Sequence, residues 1–208
     1  LSVLEFRKVK KAFKAKPVDL SKDLRRLRML KNGEEIEVIR ESCRIASHIL
    51  DACIKRFSRF RTEQDVKQFL EASTKAYGCE FSFDPIVASG KDAALPHYDG
   101  NKKLASGFCV IDFGVKFKGY CSDITRTIYF GKPKKEEVLA YEKVLLVQEQ
   151  CKQMIREKVA MKKPYNYASK ELGKAFTHSL GHGIGIEIQE APNLSSKSKE
   201  KFEKGMVF

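Results

Sequence analysis

The run from Phe108 to Phe130, FCVIDFGVKFKGYCSDITRTIYF, constrains this chain more than any other stretch, because residues that favour a pleated backbone surround two aspartates. Val110, Ile111 and Val115 on one side, and Ile124, Thr125, Thr127, Ile128 and Tyr129 on the other, predict two strands, with Lys116, Lys118 and Gly119 marking a turn between them. The pattern is a hairpin. Antiparallel pairing that sets Asp112 directly opposite Asp123 centres the turn between Phe117 and Lys118, inside the predicted loop. Side chains so opposed stand about 4.5–5.5 Å apart at Cβ, and two ionised carboxylates held there among Ile and Phe neighbours repel each other and resist burial. Two remedies are open: one carboxyl keeps its proton, or a cation sits between them. A one-residue slip of register would turn the two side chains to opposite faces, so the parity of the pairing decides whether they share a site.

A frame for this hairpin is within reach of 208 residues, of which 42% are apolar and 10% aromatic, the profile of one main globular domain with a real core. The six cysteines (Cys43, Cys53, Cys79, Cys109, Cys121 and Cys151) form no CxxC pair, and two lie on an amphipathic stripe; they read as reduced core thiols and predict a cytoplasmic protein. No leading apolar segment resembles a signal peptide, and no apolar run approaches the roughly 20 residues of a membrane helix. The net charge of +13 comes from 40 Lys and Arg against 27 Asp and Glu, but the lysines are spread along most of the chain. They read mainly as solvated surface, with nucleic acid kept as a minority class of partner.

Along the chain, residues 1–16 mix Leu4, Phe6 and Val9 with basic residues, as at the tail of a helix or strand, and Pro17 ends the segment. A short element follows with Leu24, Leu27 and Leu30 on one face, stopped by Asn32 and Gly33. Over 34–57 the apolar positions Ile36, Ile39, Cys43, Ala46, Ile49, Cys53 and Phe57 step by three and four, predicting an amphipathic helix on which His48 is structural or exposed. Thr62 and Asp65 form a capping box for a second helix, closed by Gly78. Residues 80–89 alternate like a strand broken at Pro85, and a loop rich in Gly and Pro carries His97 toward the hairpin. Helical spacing (Val138, Tyr141, Leu145, Gln148, Met154) predicts a helix over 134–162, and a shorter one follows around 165–174.

The last informative segment is Phe176–Pro192, FTHSLGHGIGIEIQEAP. His178 and His182 are four apart, yet Gly181, Gly183 and Gly185 argue against a helix, and no His-Glu-x-x-His motif is present. A loop entering a strand is the reading, with glycines that let backbones approach. No G-x-S-x-G elbow surrounds Ser179, and no phosphate-binding loop occurs.

Asp112 and Asp123, eleven residues apart on a hairpin, followed by GHGIG with His182, resemble the metal-ligand series of the pita-bread metallopeptidases, the family of methionine aminopeptidase, aminopeptidase P and prolidase. The stretch LRMLKNGEEIEVIRESCRIA is similar to the junction before the catalytic domain of the two-domain, proline-directed members, the Xaa-Pro aminopeptidases and dipeptidases. The resemblance runs from Leu24 onward. It implies residues 1–23 as the remnant of an N-terminal domain and linker, and 24–208 as the catalytic domain.

By position, the resemblance implies that Asp112 ligates one metal, Asp123 bridges two, and His182 completes the set of the first ion. His97 matches a histidine that hydrogen-bonds substrate near the scissile bond, and His178 a second active-site histidine that contacts substrate or moves a proton. Gln189 stands where proline-directed relatives have histidine; it can donate to a substrate carbonyl but carries no proton at neutral pH. The family continues into strands bearing two further glutamate ligands, of which Glu187 and Glu190 are not the equivalents; the chain reads as cut off at both ends, or as a natural relative that has lost its site, and as inactive by itself. The implied fold is α+β, a curved antiparallel sheet with helices outside and the site inside. The implied function is hydrolysis of Xaa-Pro bonds by a water shared between two divalent ions, Mn²⁺ before Co²⁺ or Zn²⁺. The implied partners are proline-containing peptides or dipeptides, with a homodimer among the assemblies allowed. The rival reading is a non-catalytic pita-bread module that binds peptide or protein.

Overall fold

The computed structural model describes residues 2–13, 16–96 and 98–208. Its spine is the helix expected over 34–57, observed as α3 (Gly33–Lys55). Asn32 accepts from the Glu35 N–H at 2.9 Å while the Glu35 carboxylate accepts from the Asn32 N–H at 2.8 Å, so two orphan donors of the first turn are satisfied reciprocally. Ile39, Ile45, Ala46, Ile49, Leu50 and Cys53 form its buried face, and His48 lies outside it. α4 (Glu63–Ala76) starts at the Thr62 and Asp65 capping box and ends just before Gly78, whose φ of 66° is the left-handed conformation that glycine adopts without strain.

These two helices cover one face of an antiparallel sheet ordered β2 (Ile86–Ser89), β3 (Gly107–Phe113), β6 (Ile124–Phe130). Cys109, Ile111 and Phe113 of β3 are fully buried and pack with Ile49, Leu50, Val66, Leu70 and Val87 in the principal core. Each such large aliphatic side chain removed from water contributes about 1.5–3 kcal/mol. Strand alternation then turns Phe108, Val110 and Asp112 to the other face, away from the helices. Asp112 is on the sheet's free side because its neighbours are needed in the core.

A second sheet continues the hairpin: β1 (Glu80–Phe81), β4 (Val115–Phe117) and β5 (Tyr120–Cys121), in the order β1-β4-β5. The register corrects the sequence expectation. Asp112 pairs with Thr125 and Phe113 with Ile124, so Asp123 is not opposite Asp112 but two residues before its partner. The turn is centred one residue later than expected, on Lys118 (φ 47°) and Gly119 (φ 85°), between the paired Phe117 and Tyr120. Two positive φ values in a two-residue loop match the right-handed twist of the strands, which favours this turn over the earlier one. Moving a turn by one residue shifts the pairing by two, an even slip, and both carboxyls remain on one face as diagonal neighbours.

The remaining helices depart more from expectation. α1 (Val3–Ala12) buries no residue, and on α2 (Ser21–Met29) only Met29 is buried while Leu24 and Leu27 stay exposed. α5 (Lys135–Met154) is shorter than the 134–162 span, and its anchors are Val147 and Cys151, packed on Ala168 of α6 (Lys162–Leu172), whereas Val138, Tyr141 and Leu145 are exposed. The last sheet is β7 (Gly181–Gly183) with β8 (Glu190–Leu194), where His182 pairs with Asn193. None of the six cysteines is disulfide-bonded, and five are buried.

Candidate metal centre

The site forms where the strand from β3 to β4 bends. Gly114 joins them, and a Cβ there would lie 1.8 Å from the Ser122 carbonyl oxygen, an overlap only glycine avoids. The pressed backbones are tied together: Ser82 Oγ donates to the Ser122 carbonyl at 2.7 Å, the Ser82 N–H donates to the Gly114 carbonyl at 3.0 Å, and the Val115 N–H donates to Ser122 Oγ at 3.0 Å. Asp123 follows this clamp directly, so its backbone is held before its side chain makes any contact.

Asp112 is fixed from across the sheet. Its Oδ1 accepts from Thr125 Oγ1 at 2.7 Å, a cross-strand bond that follows from the observed register. Burial lifts the Asp112 carboxyl above the usual range, against hydrogen bonds from Thr125 and Asp123 and the nearby His182 that favour its charge. Burial first and the Asp112 charge second push the Asp123 carboxyl up to about 6, with His182 pulling the other way. The two carboxyls are a desolvated like-charge pair, as expected from the sequence.

His182 closes the row. Its Nε2 is 3.5 Å from Asp123 Oδ2, and both side chains are about a quarter exposed. Its Nδ1 is 3.2 Å from the Gly183 carbonyl oxygen. A carbonyl only accepts, so Nδ1 is placed to carry the hydrogen, which leaves Nε2 on the Asp123 side of the ring, the arrangement a metal-ligating histidine needs. Two carboxylates and an imidazole are the hard and borderline donors that suit Mn²⁺, Co²⁺ or Zn²⁺. The donor chemistry therefore fits a divalent ion. The donors nevertheless run in a row, Asp112 to Asp123 to His182, and among the described residues no group of three His, Cys, Asp or Glu is gathered closely enough to hold an ion.

The other expected site residues lie apart from this row. His178 is exposed, its Nδ1 donating to the Ser179 carbonyl at 2.7 Å and its ring 5.4 Å from that of Phe176. Gln189 lines a groove of about 370 Å³ between α2 and β8, with Leu24, Arg28 and Asn193. His97 lies outside the described residues. Glu190 is committed elsewhere: its carboxylate pairs with Arg28 at 2.5 Å and with the buried Lys31 at 3.0 Å, and Glu187 pairs with Arg28 at 3.2 Å. Sequence reading missed Thr125 and the Gly114 clamp. The correct turn would have revealed Thr125, and the glycine directly after Asp112-Phe113 was the signal for the clamp.

Comparison with known proteins gives the context of this geometry. Residues 37–208 match the model of metallopeptidase family M24. The Xaa-Pro dipeptidase of Pyrococcus furiosus is 36% identical over 99% of this chain, and an uncharacterized peptidase of Staphylococcus saprophyticus is 34% identical over 91%. This chain spans 58% and 56% of their lengths, respectively. Among solved structures, the prolidase of Pyrococcus horikoshii superposes with a TM-score of 0.92 at 32% identity, covering 99% of this chain and 62% of that one. The X-Pro aminopeptidase of Thermotoga maritima does so with a TM-score of 0.90 at 30% identity, covering 99% and 61%. Helices backing antiparallel sheets are thus those of the pita-bread fold, and the chain belongs to metallopeptidase family M24.

Proposed function

We propose that the protein is a metal-dependent peptidase that hydrolyses Xaa-Pro bonds, with Asp112, Asp123 and His182 holding divalent metal, Mn²⁺ first. The observation that carries this reading is the row of Asp112, Asp123 and His182, two desolvated carboxyls and an imidazole whose Nε2 is 3.5 Å from Asp123 Oδ2. The relatives named Xaa-Pro dipeptidase and prolidase support the choice of a proline-containing peptide or dipeptide. Bound divalent ions supply Lewis acidity and a more acidic water at neutral pH.

The chain's own groups take the remaining tasks. Thr125 orients Asp112, and the Gly114–Ser122 clamp sets Asp123. With Nδ1 donating to the Ser179 carbonyl, His178 keeps Nε2 as the atom that accepts or returns a proton at the departing proline nitrogen. His97 donates to the carbonyl of the scissile bond, and Gln189 donates an amide hydrogen to a substrate carbonyl. Three donors fall short of the four to six that such ions take, and Glu190 is held by Arg28 and Lys31; further oxygen donors must complete the site. The reduced thiols accord with a cytoplasmic enzyme.

The test is Asp123→Asn in the intact protein, a nearly isosteric change. Mn²⁺ content after dialysis and turnover of an Xaa-Pro dipeptide should both fall by orders of magnitude with the circular dichroism unchanged. Full metal content with full turnover would refute the assignment.

A further inference from the structure

Glu63, the first residue of α4, has no exposed surface, yet its two carboxylate oxygens accept four hydrogen bonds. Oε1 takes the Ser89 N–H and the Ser89 hydroxyl, each at 2.9 Å, and Oε2 takes the Tyr98 hydroxyl at 2.7 Å and the Lys102 N–H at 2.8 Å. That is the full acceptor capacity of a carboxylate. The donors come from three places: the end of β2, and two points on the loop that leads from β2 to β3.

The same loop is stitched to α4 and its approach by backbone bonds. The Glu63 N–H donates to the Lys102 carbonyl at 2.9 Å and the Leu104 N–H to the Arg61 carbonyl at 2.9 Å. The Ala105 N–H donates to Ser89 Oγ at 3.0 Å, and Lys102 Nζ reaches across the loop to Asp92 at 2.6 Å. Tyr98 lies midway along the loop, and its hydroxyl donates to Glu63. Burial first, and the bond to Glu63 next, push the Tyr98 phenol up, so it stays a donor.

We propose that Glu63 is a positioning residue that latches the 90–106 loop, fixing Tyr98, the residue that follows His97 in the chain. A buried carboxylate imposes this more strictly than an apolar contact would, because each donor displaced from it leaves a buried polar group without a partner. The effect on turnover rests on the role proposed above for His97; the latch itself does not.

The experiment uses the intact, Mn²⁺-loaded protein with Glu63→Gln and Tyr98→Phe. Glutamine keeps the shape but turns an amide nitrogen toward a donor, and phenylalanine removes one donor while keeping the ring. Limited trypsinolysis, read by mass spectrometry at Lys91, Lys102 and Lys103, should accelerate about tenfold in Glu63→Gln and a few-fold in Tyr98→Phe, since loss of one or two buried hydrogen bonds raises the open population by about these factors. Metal content should not change, and kcat should fall while KM moves little. If Glu63→Gln fails to fold, Tyr98→Phe carries the test. Unchanged cleavage in the folded variants overturns the latch. Faster cleavage with unaltered turnover supports the latch and removes His97 from the reaction, whereas faster cleavage with no peptidase activity in the wild type supports the latch and overturns the proposed function instead.

Discussion

Two desolvated carboxylate sites stand in contrast across this molecule. At Glu190 burial alone would raise the carboxyl, but the Glu187 N–H, Arg28 and Lys31 outweigh it, and the group lies below its ordinary 4.5. At Asp112 and Asp123 burial is compounded by a like charge, and His182 offsets it only in part. One site is neutralised by the chain's own cations and ties α2 to β8; the other is left anionic on a free sheet face. The difference teaches that the chain's basic excess is not general compensation: no Lys or Arg among the described residues pairs with either aspartate. A site left wanting positive charge is one that an external cation can fill.

The contrast breaks most severely at Lys31. Lys31→Met leaves Glu190 buried without its ammonium partner, and removal of one member of a buried pair costs about 3–5 kcal/mol; Arg28 remains, which places the loss at the lower end. Urea denaturation should show it, and Lys31→Met with Glu190→Leu should recover much of the loss. A single variant as stable as wild type would mean that the pair contributes nothing net.

On the other side, Thr125→Val sharpens the contrast by removing the hydroxyl that donates to Asp112. Supporting residues of this kind are worth about 10–100-fold in metal affinity. Mn²⁺ titration of the intact protein should show that weakening without loss of fold, and unchanged affinity would remove Thr125 from the site.

The smallest effect is in acid. Glu190 has a lowered pKa in the folded state, so its charge contributes stability that is fully present above 4.5 and is lost as pH falls through the lower folded value. The stability gap between wild type and Glu190→Gln should therefore be constant from pH 7 down to about 5 and narrow below 4.5. A gap that widens on acidification would contradict the charge pairing.

Legibility followed the distance over which each feature is decided. The capping boxes at Asn32 and Thr62 are legible in part because each is a contact between residues three apart; the Thr62 and Asp65 spacing predicts a cap, while Asn32 before Gly33 predicts only a stop. The turn was missed by one residue because Lys118 takes a left-handed conformation that its side chain does not advertise. The spacing of Val138, Tyr141 and Leu145 predicts the α5 helix but not its covering, and all three are exposed, since periodicity reports a face and not what packs on it.

By itself the sequence determined the α3 stripe, the strand-forming hairpin and the presence of two aspartates on it, because helix and strand periodicities are set by local backbone geometry. Strand alternation was enough to keep both carboxyls on one face even though the register was wrong, since an even slip preserves the face. Only the tertiary structure decided that Asp123 is diagonal to Asp112, that His182 brings Nε2 to it, and that Glu190 is taken by Lys31 and Glu63 by the 90–106 loop. Apart from Asp112 and Asp123, which share the hairpin, those partners are 35 to 159 residues apart in the chain, and which long-range pair forms depends on the packing of every element between them.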